Sequence, residues 1–115
     1  MNQRMMFMIK YIKYDIWIAK VDFAEVKGYK VRPVLVIDAN NVFILSIKIT
    51  SHSPRKEDPL DYEIVHWKES GLQKQSTLRI GQKLQIPESN FYKKIGHLHS
   101  DDIKNVDDII RQTMN

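Results

Sequence analysis

Apolar and polar positions alternate with a period of two along most of this chain, and the period changes once, near its end. In DIWIAKVDF the alternation predicts a strand over residues 16–23, with Ile16, Ile18 and Phe23 as candidate core positions. AEVKGYKV carries Gly28 and three charged residues and predicts a connecting loop. PVLVIDA is a short unbroken apolar run with β-branched residues, the pattern of a central strand. Pro33 is expected at its start, because proline has no N–H to donate to a ladder. DANN predicts a turn, since Asp and Asn bond back to their own backbone. In VFILSIKIT, Phe43, Leu45, Ile47 and Ile49 share one face, and Ser46, Lys48 and Thr50 share the other. A hairpin 34–37/42–50 follows.

Residues 51–61, with two prolines, predict a loop, and YEIVHW predicts a short strand at 62–67. KESGLQKQS, holding Gly71, is a second loop. TLRIGQKLQIP is another strand, bent or bulged at Gly81. The period then lengthens: Ile103, Val106, Ile109 and Ile110 form one helical stripe over residues 100–112. Ser100 is the expected N-cap, Asp101 and Asp102 suit the positive end of the helix, and Arg111 suits its last turn. Five or six strands and one terminal helix make a mainly β fold, a small barrel or curled sheet capped by a helix. The chain reads as a single domain over 1–115, with residues 1–13 as a flexible or extra edge segment.

Composition narrows this picture. At 115 residues the chain is long enough to bury roughly 65% of its unfolded surface, so its core needs no staples. The absence of cysteine excludes disulfides, zinc–thiolate sites and thiol nucleophiles, and fits a reducing compartment. The stretch MMFMI has five apolar residues before Lys10, short of the about 7 to 15 of a secretory segment or the about 20 of a membrane span. A soluble cytoplasmic protein is expected. Neither a Gly-rich phosphate loop nor a G-x-S-x-G elbow is present. The net charge of +4 leans toward polyanionic partners without naming one.

Candidate chemistry gathers at one end of the hairpin. Arg32 stands at the entrance to the apolar strand, where its planar guanidinium suits phosphate oxygens and stays charged. Thr50, Ser51, His52 and Ser53 end the partner strand and offer hydroxyls and an imidazole to a ribose and phosphate. Counting outward from the turn sets position 37 against about 42 and 32 against about 47 in an antiparallel pair, so Arg32 and Thr50 are neighbours. Both groups also read as ordinary polar strand ends. Arg79 and Thr77 are expected to point outward from TLRI, with Arg79 a second cation on the same face. Lys30, Arg55 and Gln82 complete the expected nucleic-acid-contacting set. His97 and His99 form an H-x-H, but no third ligand lies at a suitable spacing in the sequence, so neither a metal site nor a cofactor is expected.

Taken in order, KGYKVRPVLVI, IKITSHSPR, GLQKQSTLRIGQKLQIP and KKIGHLHSDDIKNVDDII resemble the MazF/PemK toxins of type II toxin–antitoxin systems, from about Tyr14 to Arg111. The resemblance implies an SH3-like small β-barrel of the MazF/PemK/CcdB type with a C-terminal helix, usually a homodimer. It implies a metal-independent endoribonuclease that cuts single-stranded RNA at short sequences and is silenced by a cognate antitoxin; operator DNA is reached only through the antitoxin complex. The family's catalytic arginine and threonine fall on Arg32 and Thr50, and Arg79 matches an arginine functional in the PemK-like branch. Some members carry an acid two residues later, where this chain has Gly81. Either His52 takes the proton-transfer role, or the chain is slow, differently specific or a silent nucleic-acid- or antitoxin-binding module. A gyrase-directed toxin of CcdB type is the other alternative; it would act through the C-terminal helix without Arg32 or Thr50.

Overall fold

A computed structural model of the chain describes residues 10–22, 28–39 and 43–113. Within them run β1 (Asp15–Asp22), β2 (Tyr29–Ala39), β3 (Ile44–Thr50), β4 (Asp61–Glu63), β5 (Thr77–Ile86) and β6 (Phe91–His97), followed by helix α1 (Ser100–Thr113); a short 3-10 turn over Glu88–Asn90 joins β5 to β6. The strands form one antiparallel sheet in the order β4-β5-β3-β2-β1-β6. It curls like a barrel without closing.

The sheet's middle strands are buried on both faces, which is why β2 reads as an unbroken apolar run rather than an alternating one. One face carries Ile16, Leu35, Ile47, Ile49, Leu78 and Ile80, and the stripe of α1 packs there through Val106, Ile103, Ile109 and Ile110. The other face carries Trp17, Ala19, Val34, Val36 and Ile44, covered by Tyr11 and Phe91. Burying each large aliphatic side chain contributes roughly 2 kcal/mol, so these two sets of alternating positions fix the register of every central strand. Tyr11 and its neighbours at 10–13 form no strand: Tyr11 is buried against Trp17 and Phe91. Tyr14 has a positive φ of 73°, a costly conformation for a bulky residue. It is held by its N–H to the Val36 carbonyl, its carbonyl to the Leu98 N–H, and its hydroxyl to Asp107.

Several expectations change in the folded chain. The segment expected as a loop up to Val31 is strand from Tyr29, because β2 continues beyond the core as a ribbon paired with β1, Tyr29 opposite Asp22. Phe23 and residues 40–42 of the expected turn lie outside the described residues. Pro33 is not at the strand's start but in its middle, opposite Ile18. Pairing of β2 with β3 runs only from Val34 onward, so Pro33 falls where that side of β2 is an edge and a missing donor is tolerated. The strand expected over 62–67 ends at Glu63. Beyond it the Val65 and His66 N–H groups turn to the buried Asp102 carboxylate, at 3.0 and 2.9 Å, and leave the sheet. Asp102 also accepts the Tyr62 hydroxyl at 2.5 Å, so it bolts α1 to the β4 segment. The helix cap sits one residue earlier than expected: Ser100 is helical, while His99 gives its carbonyl to Ile103 N–H and its Nδ1 to Asp101 N–H at 3.1 Å. The expected break at Gly81 is a bulge. Ile47 pairs with Lys83 and the next residue, Lys48, with Arg79, so three residues of β5 loop out against none of β3.

Candidate nucleic-acid interface

Where the β2–β3 ladder ends, a cavity of about 730 Å³ lies between the central strands and the loop 71–76. Arg32 enters it from the exposed half of β2, opposite Ala19. The observed β2–β3 register, with Val34 opposite Lys48, differs by three residues from the count made along the sequence: Ala39 pairs with Ile44, two positions further along each strand than the expected 37/42 pair, and the bulge at Ile37 takes back one residue of that shift. Extended two residues past its last pair, that register runs from Arg32 to Thr50. The two lie nearer each other than the sequence count suggested.

Thr50, the last residue of β3, organises His52. Its Oγ1 lies 3.2 Å from His52 Nδ1 and accepts the His52 backbone N–H at 3.3 Å. Thr77, opposite Thr50 in the β3–β5 ladder, donates to the His52 carbonyl at 2.8 Å. Two threonines thus fix the backbone of an exposed histidine, and one holds its ring with Nε2 left for other chemistry.

Arg79 is held differently. Expected on the surface, it is 8% exposed and gives Nη1 to Asp61 Oδ2 at 2.8 Å, while the Asp61 side chain is wholly buried. Arg55 binds the same carboxylate through Nε and Nη2, both at 3.0 Å, and through its backbone N–H at 2.9 Å. Its Nη2 also meets Asp58 at 2.6 Å. Burial pushes the Asp61 pKa up and is the largest single influence. The Arg55 bonds and the charges of Arg79 and Arg55 together outweigh it and hold the carboxyl below its ordinary value. Arg55, raised chiefly by its bond to Asp61, is therefore a brace for Asp61 and not a cavity residue.

Of the residues singled out in the sequence, Lys30, Arg32, Thr50, Ser51, His52 and Arg79 line the cavity. Ser53, Arg55, Thr77 and Gln82 do not; Thr77 is 1% exposed and acts on His52 from below. Lys48, Lys74 and Lys93 line it as well and were missed. Lys48 had a signal, since it shares the alternating face of Thr50. Lys93 had none, because it arrives through the pairing of β6 with β1, opposite Ile18. Among the described residues, six cationic side chains and no carboxylate line the cavity. Low-dielectric walls carrying one sign of charge focus the field on an anion.

One wall is set by main chain. Gly71 has φ +92°, and a Cβ there would stand 2.1 Å from the Ile95 carbonyl oxygen; a Cβ on Gly96 would stand 1.9 Å from that of Ser70. Only glycine lets the loop and β6 approach so closely.

The model of the PemK-like, MazF-like toxin of type II toxin–antitoxin systems matches residues 12–114. The chain belongs to this toxin family. No curated protein matches it. Among solved structures it is similar to the Mycobacterium tuberculosis toxin MazF-mt6, with a TM-score of 0.68 and 19% identity over 87% of this chain and 95% of that one. At that identity the likeness establishes the fold: a six-stranded antiparallel, barrel-like MazF sheet with a C-terminal helix. A type II toxin of this family has an antitoxin protein as its partner and typically dimerises. No helix among the described residues is long and apolar enough to cross a membrane.

Proposed function

We propose that this MazF/PemK-family chain is a metal-independent endoribonuclease that cleaves single-stranded RNA. The observation carrying this reading is the carboxylate-free cationic cavity that gathers Arg32 and the hydrogen-bonded Thr50–His52 pair. Six cations recruit a phosphodiester backbone. His52 Nε2 takes the proton of a ribose 2′-hydroxyl while Nδ1–H donates to Thr50 Oγ1, 3.2 Å away. The 2′-oxygen then bonds to the adjacent phosphorus, the bond from phosphorus to the 5′-oxygen breaks, and that oxygen takes a proton from solvent. The products are a 2′,3′-cyclic phosphate and a 5′-hydroxyl end. Charge builds on the non-bridging oxygens, and Arg32, always protonated, stabilises it there. Arg79, held from behind by Asp61, binds a neighbouring phosphate. Lys30 and Ser51 line the strand's path. The chain works as a cytoplasmic homodimer, and an acidic antitoxin segment silences it by covering the same cavity; operator DNA is bound only through that complex.

The test is cleavage of a long single-stranded RNA in excess EDTA by tag-free protein freed of antitoxin, beside Arg32→Ala and His52→Ala. Discrete fragments with cyclic-phosphate ends, lost in Arg32→Ala, support the reading. Intact RNA with folded wild-type protein refutes it in favour of a silent binder or a toxin acting on a protein target.

A further inference from the structure

Away from the cavity, the turn after β4 and the start of α1 bring three metal-ligating side chains together. His66 Nε2 lies 3.2 Å from Asp101 Oδ2, and His99 Nδ1 lies 3.8 Å from the same oxygen. One ligand atom from each of the three falls within 4.8 Å of the others. The two imidazole rings stack at 3.9 Å between centroids, 23° apart. On its other nitrogen, Nδ1, His66 meets Glu69 Oε2 at 3.3 Å.

We infer that His66, His99 and Asp101 form a binding site for a first-row divalent cation of the Zn2+ class. Three features carry this. First, the donor set of two imidazoles and one carboxylate suits zinc and its neighbours, and leaves a fourth position open to water. Second, tetrahedral bonds of about 2.0–2.1 Å set ligand atoms about 3.3 Å apart. The His66–Asp101 spacing already matches, and the His99–Asp101 spacing closes by about half an ångström together with a turn of the stacked His99 ring that brings its in-plane lone pair to the shared ion. Third, Glu69 stands behind His66 on Nδ1, the place that the outer partner of a metal-bound histidine occupies, so that Nε2 is the nitrogen turned to Asp101.

Two opposing effects are smaller. The helix start presents about half a positive charge, against which Asp101 and Glu69 set two full negative ones. His99 Nδ1 caps the helix through the Asp101 N–H, a bond that coordination through Nδ1 would exchange for a stronger one. Both histidines are about one-third exposed and Asp101 is 72% exposed, so an ion enters from solvent without unfolding anything. Coordination would clamp the turn 65–71 to α1, and that turn leads directly into Gly71 and Leu72 at the cavity wall.

The experiment uses tag-free full-length protein titrated with Co2+, read by its visible absorption, and with Zn2+, read by calorimetry. The expected result is one equivalent per chain at micromolar affinity or better, with the intense bands of tetrahedral Co2+. His66→Ala and His99→Asn, the latter keeping a capping side chain, should each lose more than the roughly 10- to 100-fold that removal of an outer partner costs. Glu69→Gln should fall in that roughly 10- to 100-fold range. His97→Gln, whose histidine ends β6 and pairs with Asp15 instead of the cluster, should bind as wild type. Circular dichroism checks that each variant is folded. Absence of saturable binding in folded wild type overturns the inference. So does binding that survives both His66→Ala and His99→Asn.

Discussion

Arg32 and Arg79 reach the same cavity from β2 and β5, and the chain holds them in opposite ways. Arg32 lies on an exposed stretch beside a proline and forms no ion pair among the described residues, so its position comes from the strand alone. Arg79 is almost wholly buried, with Nη1 on a buried carboxylate that Arg55 braces from the other side. A guanidinium free of internal partners keeps all its donors for charge that appears only during reaction. One clamped to Asp61 is aimed in advance but has part of its charge neutralised. The difference teaches that two arginines in one cavity can play unlike parts. On the proposed function, Arg32 acts on the reacting phosphate and Arg79 fixes where the strand lies.

The largest break of this contrast comes from Asp61→Ala. It strands Arg79 in a buried site without its counter-charge, and urea unfolding should show a loss of about 3–5 kcal/mol. Arg32→Ala should do the reverse. Its melting temperature should stay within a degree or two of wild type, while the turnover of RNA falls by about 10²- to 10³-fold. An equal loss of stability in both variants would erase the distinction. Arg79→Ala, measured by RNA binding at two salt concentrations, should weaken affinity and reduce the salt slope by about one phosphate contact. Thr77→Val removes the bond to the His52 carbonyl and should cost about 1 kcal/mol of stability, with a kcat loss exceeding any change in KM. The mildest effect is one of pH. Asp61 titrates below its unfolded value, so its contribution is complete above about pH 4 and is lost as pH falls through the lower folded value. The stability gap between wild type and Asp61→Asn should therefore narrow on acidification below about pH 4 and close once Asp61 is protonated in both states.

Much of the frame was legible in the sequence because it rests on local periodicity. The alternation in VFILSIKIT and the stripe Ile103, Val106, Ile109, Ile110 each report one face of one element, and the folded chain has β3 and α1 there. Arg32, Thr50 and His52 were legible as neighbours because a hairpin joins them. What the sequence concealed depends on residues far apart in it. Asp61 and Arg79 belong to separate strands, and neither PLDYEI nor TLRI signals that its charge is buried. Lys93 enters the cavity through an end-strand pairing that no local pattern announces. Pro33 was misplaced because the rule against proline in a central strand assumes both neighbours run its full length, whereas β3 stops short. Asp102 read only as an acid suited to the positive end of the helix; its further role appears when the turn after β4 offers it two N–H groups.

The glycine-on-glycine approach of residues 71 and 96 has a consequence for how such a cavity changes. Its width at that end is gauged by main chain against main chain and does not depend on which side chains line it. The dimension of the groove and the chemistry along it are thus under separate control. On the proposed function, Gln73, Lys74 and Lys93 can be exchanged, and the bases or segments favoured there altered, while a strand of the same thickness still fits. Any side chain at either glycine would do the opposite, keeping the lettering and spoiling the gauge.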